Sequence, residues 1–162
     1  MIFTKNIGEP IYAALNGKVI AITDLDEPIF AGKVVGDGVA IIPTDGTAVS
    51  PVSGIVSFIA QQKHSYGITT FDGVEVLLHL GIGTVKLEGQ GFTPLVRKGD
   101  QVKVGTALCR MDLDLLKQKG IDPTSPLIIT SNSSDRIKKL TLITGQATAG
   151  SSICMRYVTQ DK

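Results

Sequence analysis

An antiparallel all-β sandwich with one short helix is the architecture this sequence predicts, and three observations carry the prediction. Apolar runs of strand length recur along the chain and are interrupted at short intervals by its 18 glycines and 7 prolines, the pattern of strands joined by turns. Charged residues make up 19% of the 162 residues against 43% apolar ones, a balance that suits a packed β body better than a charged helical bundle. Only one segment carries good helix signals. Short strands at regular spacing with almost no helix read as a sandwich.

Taken in order, strands are expected at Ile11–Ala14, Lys18–Thr23, Val39–Pro43, Ala48–Ser50 and Gly54–Ala60, each bounded by glycine, proline or a polar cluster. Gly67–Phe71 and Val74–Leu80 follow on either side of Asp72-Gly73, and Gln101–Val102, Ala107–Asp112, Leu127–Thr130, Ile137–Leu142 and Ile153–Tyr157 complete the set. The helix is expected over Asp112–Gly120, with acids in its first turn, lysines in its last and a terminating glycine, each favourable to the helix dipole or its end. Ala14-x-x-Gly17-x-Val19-x-x-Ile22 echoes Pro51-x-x-Gly54-x-Val56-x-x-Ile59. The echo points to a duplicated hairpin unit, and the expected fold class is a barrel-sandwich hybrid with such a duplicated motif.

The length is enough for one well-filled core, and no linker or low-complexity tract divides the chain. A single domain over residues 1–162 is expected, with residues 1–10 a flexible N-terminal lead. Net charge is +1, so no broad basic field speaks for nucleic acid or a membrane surface. Neither a signal peptide nor an apolar run of about 18 residues is present. These features predict a cytoplasmic protein without membrane insertion. Cys109 and Cys154 lack CxxC spacing and are expected to be reduced structural thiols.

Chemistry concentrates in one hairpin. The chain's only two histidines, His64 and His79, lie on its two arms. An Asp-Gly pair between β-branched and aromatic runs predicts a two-residue type I′ turn on Asp72 and Gly73, which pairs Tyr66 with His79 and His64 with Gly81. His64, Tyr66 and Ile68 then share a face with Leu77 and His79, and the two histidines become diagonal neighbours about 7–8 Å apart. Neutral imidazole is a nucleophile, a general base and a metal ligand. Such a pair suits zinc binding or a group that moves on and off a ring nitrogen. Gly99-Asp100-x-Val102-x-x-Gly105-x-x-Leu108 resembles the turn of lipoyl- and biotinyl-carrier folds. No lysine occupies the best hairpin tip, so it is read as a structural turn.

The residues around the histidines resemble the glucose-family EIIA component of the bacterial phosphoenolpyruvate:sugar phosphotransferase system. The likeness runs through Lys63-His64, Gly67, Asp72-Gly73-Val74-Glu75-Val76-Leu77-Leu78-His79-Leu80-Gly81-Ile82 and Thr84-Val85-Lys86-Leu87-Glu88-Gly89-Gln90-Gly91-Phe92. It extends through Phe30-Ala31-Gly32-Lys33-Val34-Val35-Gly36-Asp37-Gly38 and Ser125-Pro126-Leu127-Ile128-Ile129-Thr130. The resemblance implies a phosphotransferase: a phosphoryl carrier that accepts a phosphoryl group from the phosphocarrier HPr on His79 Nε2 and passes it to a cysteine of an EIIB domain, with no cofactor. His64 would stabilise the phosphoryl oxygens, the Gly81 carbonyl would accept from His79 Nδ1, and no metal is required, although both histidines could ligate zinc in a complex. Glu27, Ile29, Phe30, Val35, Tyr66, Ile68, Leu77, Gly83 and Val85 are the implied docking positions, and regulated transporters or kinases are implied as further partners.

Two positions depart from the family pattern: Gly83 replaces an aspartate that meets an HPr arginine, and Gln62 replaces a threonine before the first histidine. Asp26 and Glu27 are candidates to supply the missing acidity. Two alternative readings are a regulatory module controlled by phosphorylation and a zinc hydrolase of the lysostaphin type. The hydrolase needs a third protein ligand. Glu75 shares the His79 face but sits two pleats away, toward the turn.

Overall fold

The structure is a computed structural model that describes residues 7–160. Its strands in chain order are β1 (Glu9–Tyr12), β2 (Gly17–Ala21), β3 (Gly36–Pro43), β4 (Thr47–Val49), β5 (Gly54–Ile59), β6 (Ser65–Thr70) and β7 (Glu75–His79), then β8 (Phe92–Pro94), β9 (Gln101–Val102), β10 (Ala107–Met111), β11 (Ser125–Thr130), β12 (Ile137–Leu142), β13 (Gly145–Ala147) and β14 (Ile153–Thr159). Two short α-helices accompany them, α1 (Pro28–Ala31) and α2 (Leu113–Gln118). An eight-stranded sheet runs β13-β2-β3-β11-β7-β6-β5-β9, and two three-stranded sheets, β1-β14-β12 and β4-β10-β8, accompany it. All pairs are antiparallel. One apolar core joins the three sheets, with Val39, Tyr66, Leu78 and Leu127 of the large sheet meeting Met155 of β14 and Leu108 of β10. The expected all-β sandwich is therefore present.

The internal echo has a structural counterpart. From either edge the large sheet reads in the same way, β13-β2-β3-β11 mirrored by β9-β5-β6-β7, so the hairpins β2–β3 and β5–β6 occupy equivalent places. Gly17 and Gly54 open the equivalent strands for one steric reason. A Cβ at Gly17 would stand 2.0 Å from the Ile42 carbonyl oxygen, and one at Gly54 would stand 2.2 Å from that of Thr69.

Helix α2 forms where its signals lie. Asp112 caps it by accepting from the Leu115 N–H at 3.1 Å, and Leu116 is fully buried beneath it. Three short elements escape the sequence patterns: α1, β8 and β13. Each has three or four residues, too few to show a period. The expected flexible lead is corrected at its end, since Glu9 and Pro10 belong to β1 and pair with Tyr157 and Arg156. Its first six residues lie outside the described ones. The motif at residues 99–108 is a structural turn, in which Asp100 accepts from the Arg97 N–H at 2.8 Å and both Gly99 and Gly105 have positive φ.

The β6–β7 hairpin corrects the expected register by one residue. A type I′ turn needs positive φ at both central residues, and Asp72 does not have it, whereas Gly73 has φ +85°. The loop instead spans Phe71, Asp72 and Gly73: the Thr70 N–H donates to the Val74 carbonyl at 2.9 Å and the Gly73 N–H to the Thr70 carbonyl at 3.0 Å. The Thr70 hydroxyl also bonds the Asp72 carboxylate, and the Tyr157 hydroxyl donates to that carboxylate at 3.0 Å. Ser65 rather than Tyr66 is therefore opposite His79, and Tyr66 faces Leu78. A one-residue shift exchanges the two faces of a strand. Tyr66 and Ile68, expected on the histidine face, belong to the core with 0% and 1% exposure. Tyr66→Ala should thus cost about 3–5 kcal/mol of stability, against about 1 kcal/mol for half-buried Leu77→Ala, as urea denaturation of the two variants will show.

Candidate functional site

The histidines meet despite the corrected register. The Lys63 backbone turns through φ +67° before β6 begins, and the His64 carbonyl accepts from the Leu80 N–H at 2.7 Å. That bond anchors the His64 backbone at the end of the hairpin, where the sheet no longer dictates the face of its side chain. The two imidazole rings lie 4.9 Å apart between centroids and cross at 88°. His64 is buried and His79 half-buried. The phenyl ring of Phe30 stands 5.0 Å from the His79 ring at 47°, and Phe92 lies 6.4 Å from the ring of His64.

Beyond His79 the chain is fixed by its glycines and by the segment after α2. Gly81 has φ +78°, and a Cβ there would lie 2.4 Å from Thr84 Cγ2. Its N–H donates to the Ser125 hydroxyl at 3.1 Å, and the Ile82 N–H donates to the Asp122 carbonyl at 2.9 Å. No hydrogen bond joins the Gly81 carbonyl to the His79 ring among the described residues. Gly81 contributes the corner itself, and a proton-accepting contact there would have to form when the site is engaged, as site hydrogen bonds often do.

A cleft of about 560 Å³ opens over the two rings. Of the expected docking positions, Glu27, Ile29, Phe30, Val35, Leu77 and Gly83 line it together with the histidines. Val85 is 50% exposed on the neighbouring surface but does not line the cleft. Asp26 is exposed and also lies outside the lining, so Glu27 is the only carboxylate in it. At Gly83, φ is +76° and a Cβ would meet nothing within 4 Å; the place of the family's aspartate has open space but a backbone that favours glycine.

Phe58, Ala60, Ser65 and Ile82 also line the cleft and were not expected there. Strict alternation would send Phe58 inward with Val56. A bulge between those two residues turns Phe58 outward to 44% exposure, where it lies over Gly67, whose missing side chain leaves the room. Gly67 opposite an aromatic is the one signal of this in the sequence.

Electrostatics keep the pair neutral. Burial pulls the His79 pKa down to about 4, the neighbouring His64 ring pulls the same way, and Glu27 opposes them. Burial also lowers the pKa of His64, with the Gln62 backbone acting in the other direction; even so, no group stands in hydrogen-bond geometry to His64 Nδ1. Two neutral, adjacent imidazoles present ring nitrogens with free lone pairs. The zinc-hydrolase alternative lacks its third ligand. Among the described residues no group of three or more His, Cys, Asp or Glu could hold a metal ion, and the Glu75 carboxylate accepts from the Thr130 hydroxyl at 2.9 Å. Cys109 and Cys154 are both free and buried.

A sandwich that presents paired neutral histidines in an apolar cleft suits a small carrier of a transferable group. Residues 9–135 match the family model of the phosphoenolpyruvate-dependent sugar phosphotransferase system, EIIA 1, and the chain belongs to that family. It is 41% identical over 154 residues to a glucose-specific EIIA component of Bacillus anthracis, covering 94% of this chain and 92% of the relative. Against the glucose-specific EIIA component of Halalkalibacterium halodurans it is 46% identical over 123 residues, 76% of this chain and 71% of that one. It also matches 19% of a glucose-specific EIICBA component of Streptococcus pneumoniae, at 40% identity over 84% of this chain. Among solved structures, the glucose permease IIA from Mycoplasma capricolum superposes with a TM-score of 0.84 at 30% identity, covering 95% of this chain and 99% of that one. The protein is thus a phosphoryl carrier of the sugar phosphotransferase system and works with HPr and an EIIB domain. No helix of the described residues is long and apolar enough to cross a membrane.

The depressed pKa of His79 has a consequence for stability. Between about 4 and the ordinary value of 6.5 the unfolded chain binds more protons than the folded one, so stability rises with pH through that window and falls on acidification. Urea midpoints should drop as pH is lowered from 6.5 to 4, with a shallower drop in His79→Gln, and an equally steep profile in the variant would contradict the burial of a neutral ring.

Proposed function

We propose that His79 is the phosphoryl acceptor and His64 its electrostatic partner, and that the chain acts as one EIIA domain over residues 1–162 in the cytoplasm. The observation that carries this is the approach of the two neutral rings to 4.9 Å at the floor of the cleft. The lone pair of His79 Nε2 attacks the phosphorus carried by HPr; the new N–P bond forms as the bond to the HPr histidine breaks, and the electron pair leaves with that imidazole. In the second step an EIIB cysteine thiolate attacks the same phosphorus and the His79 ring departs. Alignment and charge stabilisation dominate such transfers. His64 serves the second need by donating to the phosphoryl oxygens. The glucose-specific names of the relatives support glucose as the sugar whose uptake is served. The apolar rim of Ile29, Phe30, Phe58 and Leu77 supports docking of HPr and EIIB, and of regulated transporters or kinases, on one surface.

Incubation with phosphoenolpyruvate, enzyme I and HPr should add one phosphoryl group, labile in acid and stable in base, and His79→Ala should remove it entirely. Mass spectrometry of the intact protein reads the result, and undiminished labelling of the variant would overturn the assignment. His64→Gln should still be phosphorylated by HPr, because its amide can donate a hydrogen bond, but it cannot carry the positive charge that an imidazolium brings to the departing phosphoryl group and should pass it to an EIIB cysteine roughly 100-fold more slowly. Wild-type transfer rates in both directions in a rapid-quench experiment would make His64 a bystander.

A further inference from the structure

We propose that Glu27 is a positioning residue, whose carboxylate holds the short helix that sets Phe30 against the ring of His79. The inference deepens the assignment of His79 as the phosphoryl acceptor and rests on it for its catalytic consequence. The His79 ring packs against the rings of both His64 and Phe30. Phe30 is supplied by α1, only four residues long. A helix of that length does not sustain itself, because nucleation costs more than one turn returns. Nor does the core anchor α1, since none of its residues is buried.

Its two ends hold it instead. At the N-terminus both Glu27 carboxylate oxygens are used, Oε1 accepting from the Ile29 N–H and Oε2 from the Phe30 N–H, each at 2.9 Å, with Pro28 at the first helical position. At the C-terminus the Val34 N–H donates to the Ile29 carbonyl and the Lys33 N–H to the Phe30 carbonyl, each at 3.0 Å, which is the Schellman arrangement. Its left-handed residue is Lys33, with φ +58°, where glycine would be at ease. The C-terminal end is therefore under strain, and Glu27 is the stronger clamp. The second bond it accepts comes from the N–H of Phe30 itself, so the cap fixes the backbone of the residue whose ring covers His79.

Glu27 also lies close enough to act on His79 through its charge, and the two effects have opposite signs. The titratable groups facing His79 are His64 and Glu27. If charge were the whole role, removing Glu27 would lower the His79 pKa further, because a carboxylate favours the imidazolium. If Glu27 acts through Phe30, removing it frees the phenyl ring, admits water to His79 and raises the pKa toward its ordinary value.

The test is NMR on the full chain with labelled histidine, whose two residues give a simple spectrum. In Glu27→Ala the Phe30–His79 ring contact should vanish and the His79 pKa should rise from about 4 by roughly one unit or more. Phe30→Ala, which leaves both the cap and its charge in place, should give a rise at least as large, and the double variant should add nothing to the rise of Glu27→Ala. Glu27→Asp, a good N-cap, should restore both contact and pKa, and should keep a phosphorylation rate by phospho-HPr that Glu27→Ala loses by roughly tenfold. A persisting ring contact, or a pKa that stays or falls in Glu27→Ala, overturns the proposal. The titration involves no phosphate, so its failure leaves the acceptor assignment standing, and an unphosphorylated His79 would leave the titration valid.

Discussion

The turn at residues 70–73 governs the site from its far end. Hydrogen bonds from Thr70 and from Tyr157 hold Asp72, and Gly73 closes the loop through positive φ. Together they fix three loop residues where two would produce the opposite register. Because side chains alternate across a strand, this single choice puts Tyr66 and Ile68 into the core and leaves Leu77 and His79 outside it. The place of Leu77 and His79 in the cleft follows from that division, and Tyr157 of β14 ties it to a separate sheet.

Within the cleft, packing does what hydrogen bonds do in many active sites. His79 packs against two rings and is stripped of much of its water, which keeps the imidazole neutral in the physiological range. A nucleophilic nitrogen needs that state. The same apolar walls that depress the pKa supply the surface on which protein partners settle. One residue therefore serves two ends: Phe30 packs on the ring and also forms the rim with Leu77.

The duplicated hairpins explain how a rigid sheet builds so asymmetric a site. The connection after β2 spans residues 22–35 and carries Glu27, Phe30 and Val35; the equivalent connection after β5 carries Ala60 and His64. Both reach the cleft, one as a capped helix and the other as a tight turn into β6. The sheet beneath them is paired throughout, and its closely packed glycines leave little freedom.

By itself the sequence determined the class of fold, most of the strands, helix α2 and the identity of the two histidines that meet. Those features rest on local chemistry: alternating apolar runs, glycine and proline punctuation, capping residues and a strong hairpin signal. The tertiary structure alone decided the hairpin register, because an Asp-Gly pair serves a two- or a three-residue loop equally well and Tyr157, 85 residues away, helps to select between them. It alone turned Phe58 outward, since a bulge is a property of two paired strands rather than of one. It alone placed α1 over His79, for a four-residue helix has no period to read and exists here through its caps. Short elements and face assignments depend on partners distant in the chain, and for that reason they became visible only once the sheets were assembled.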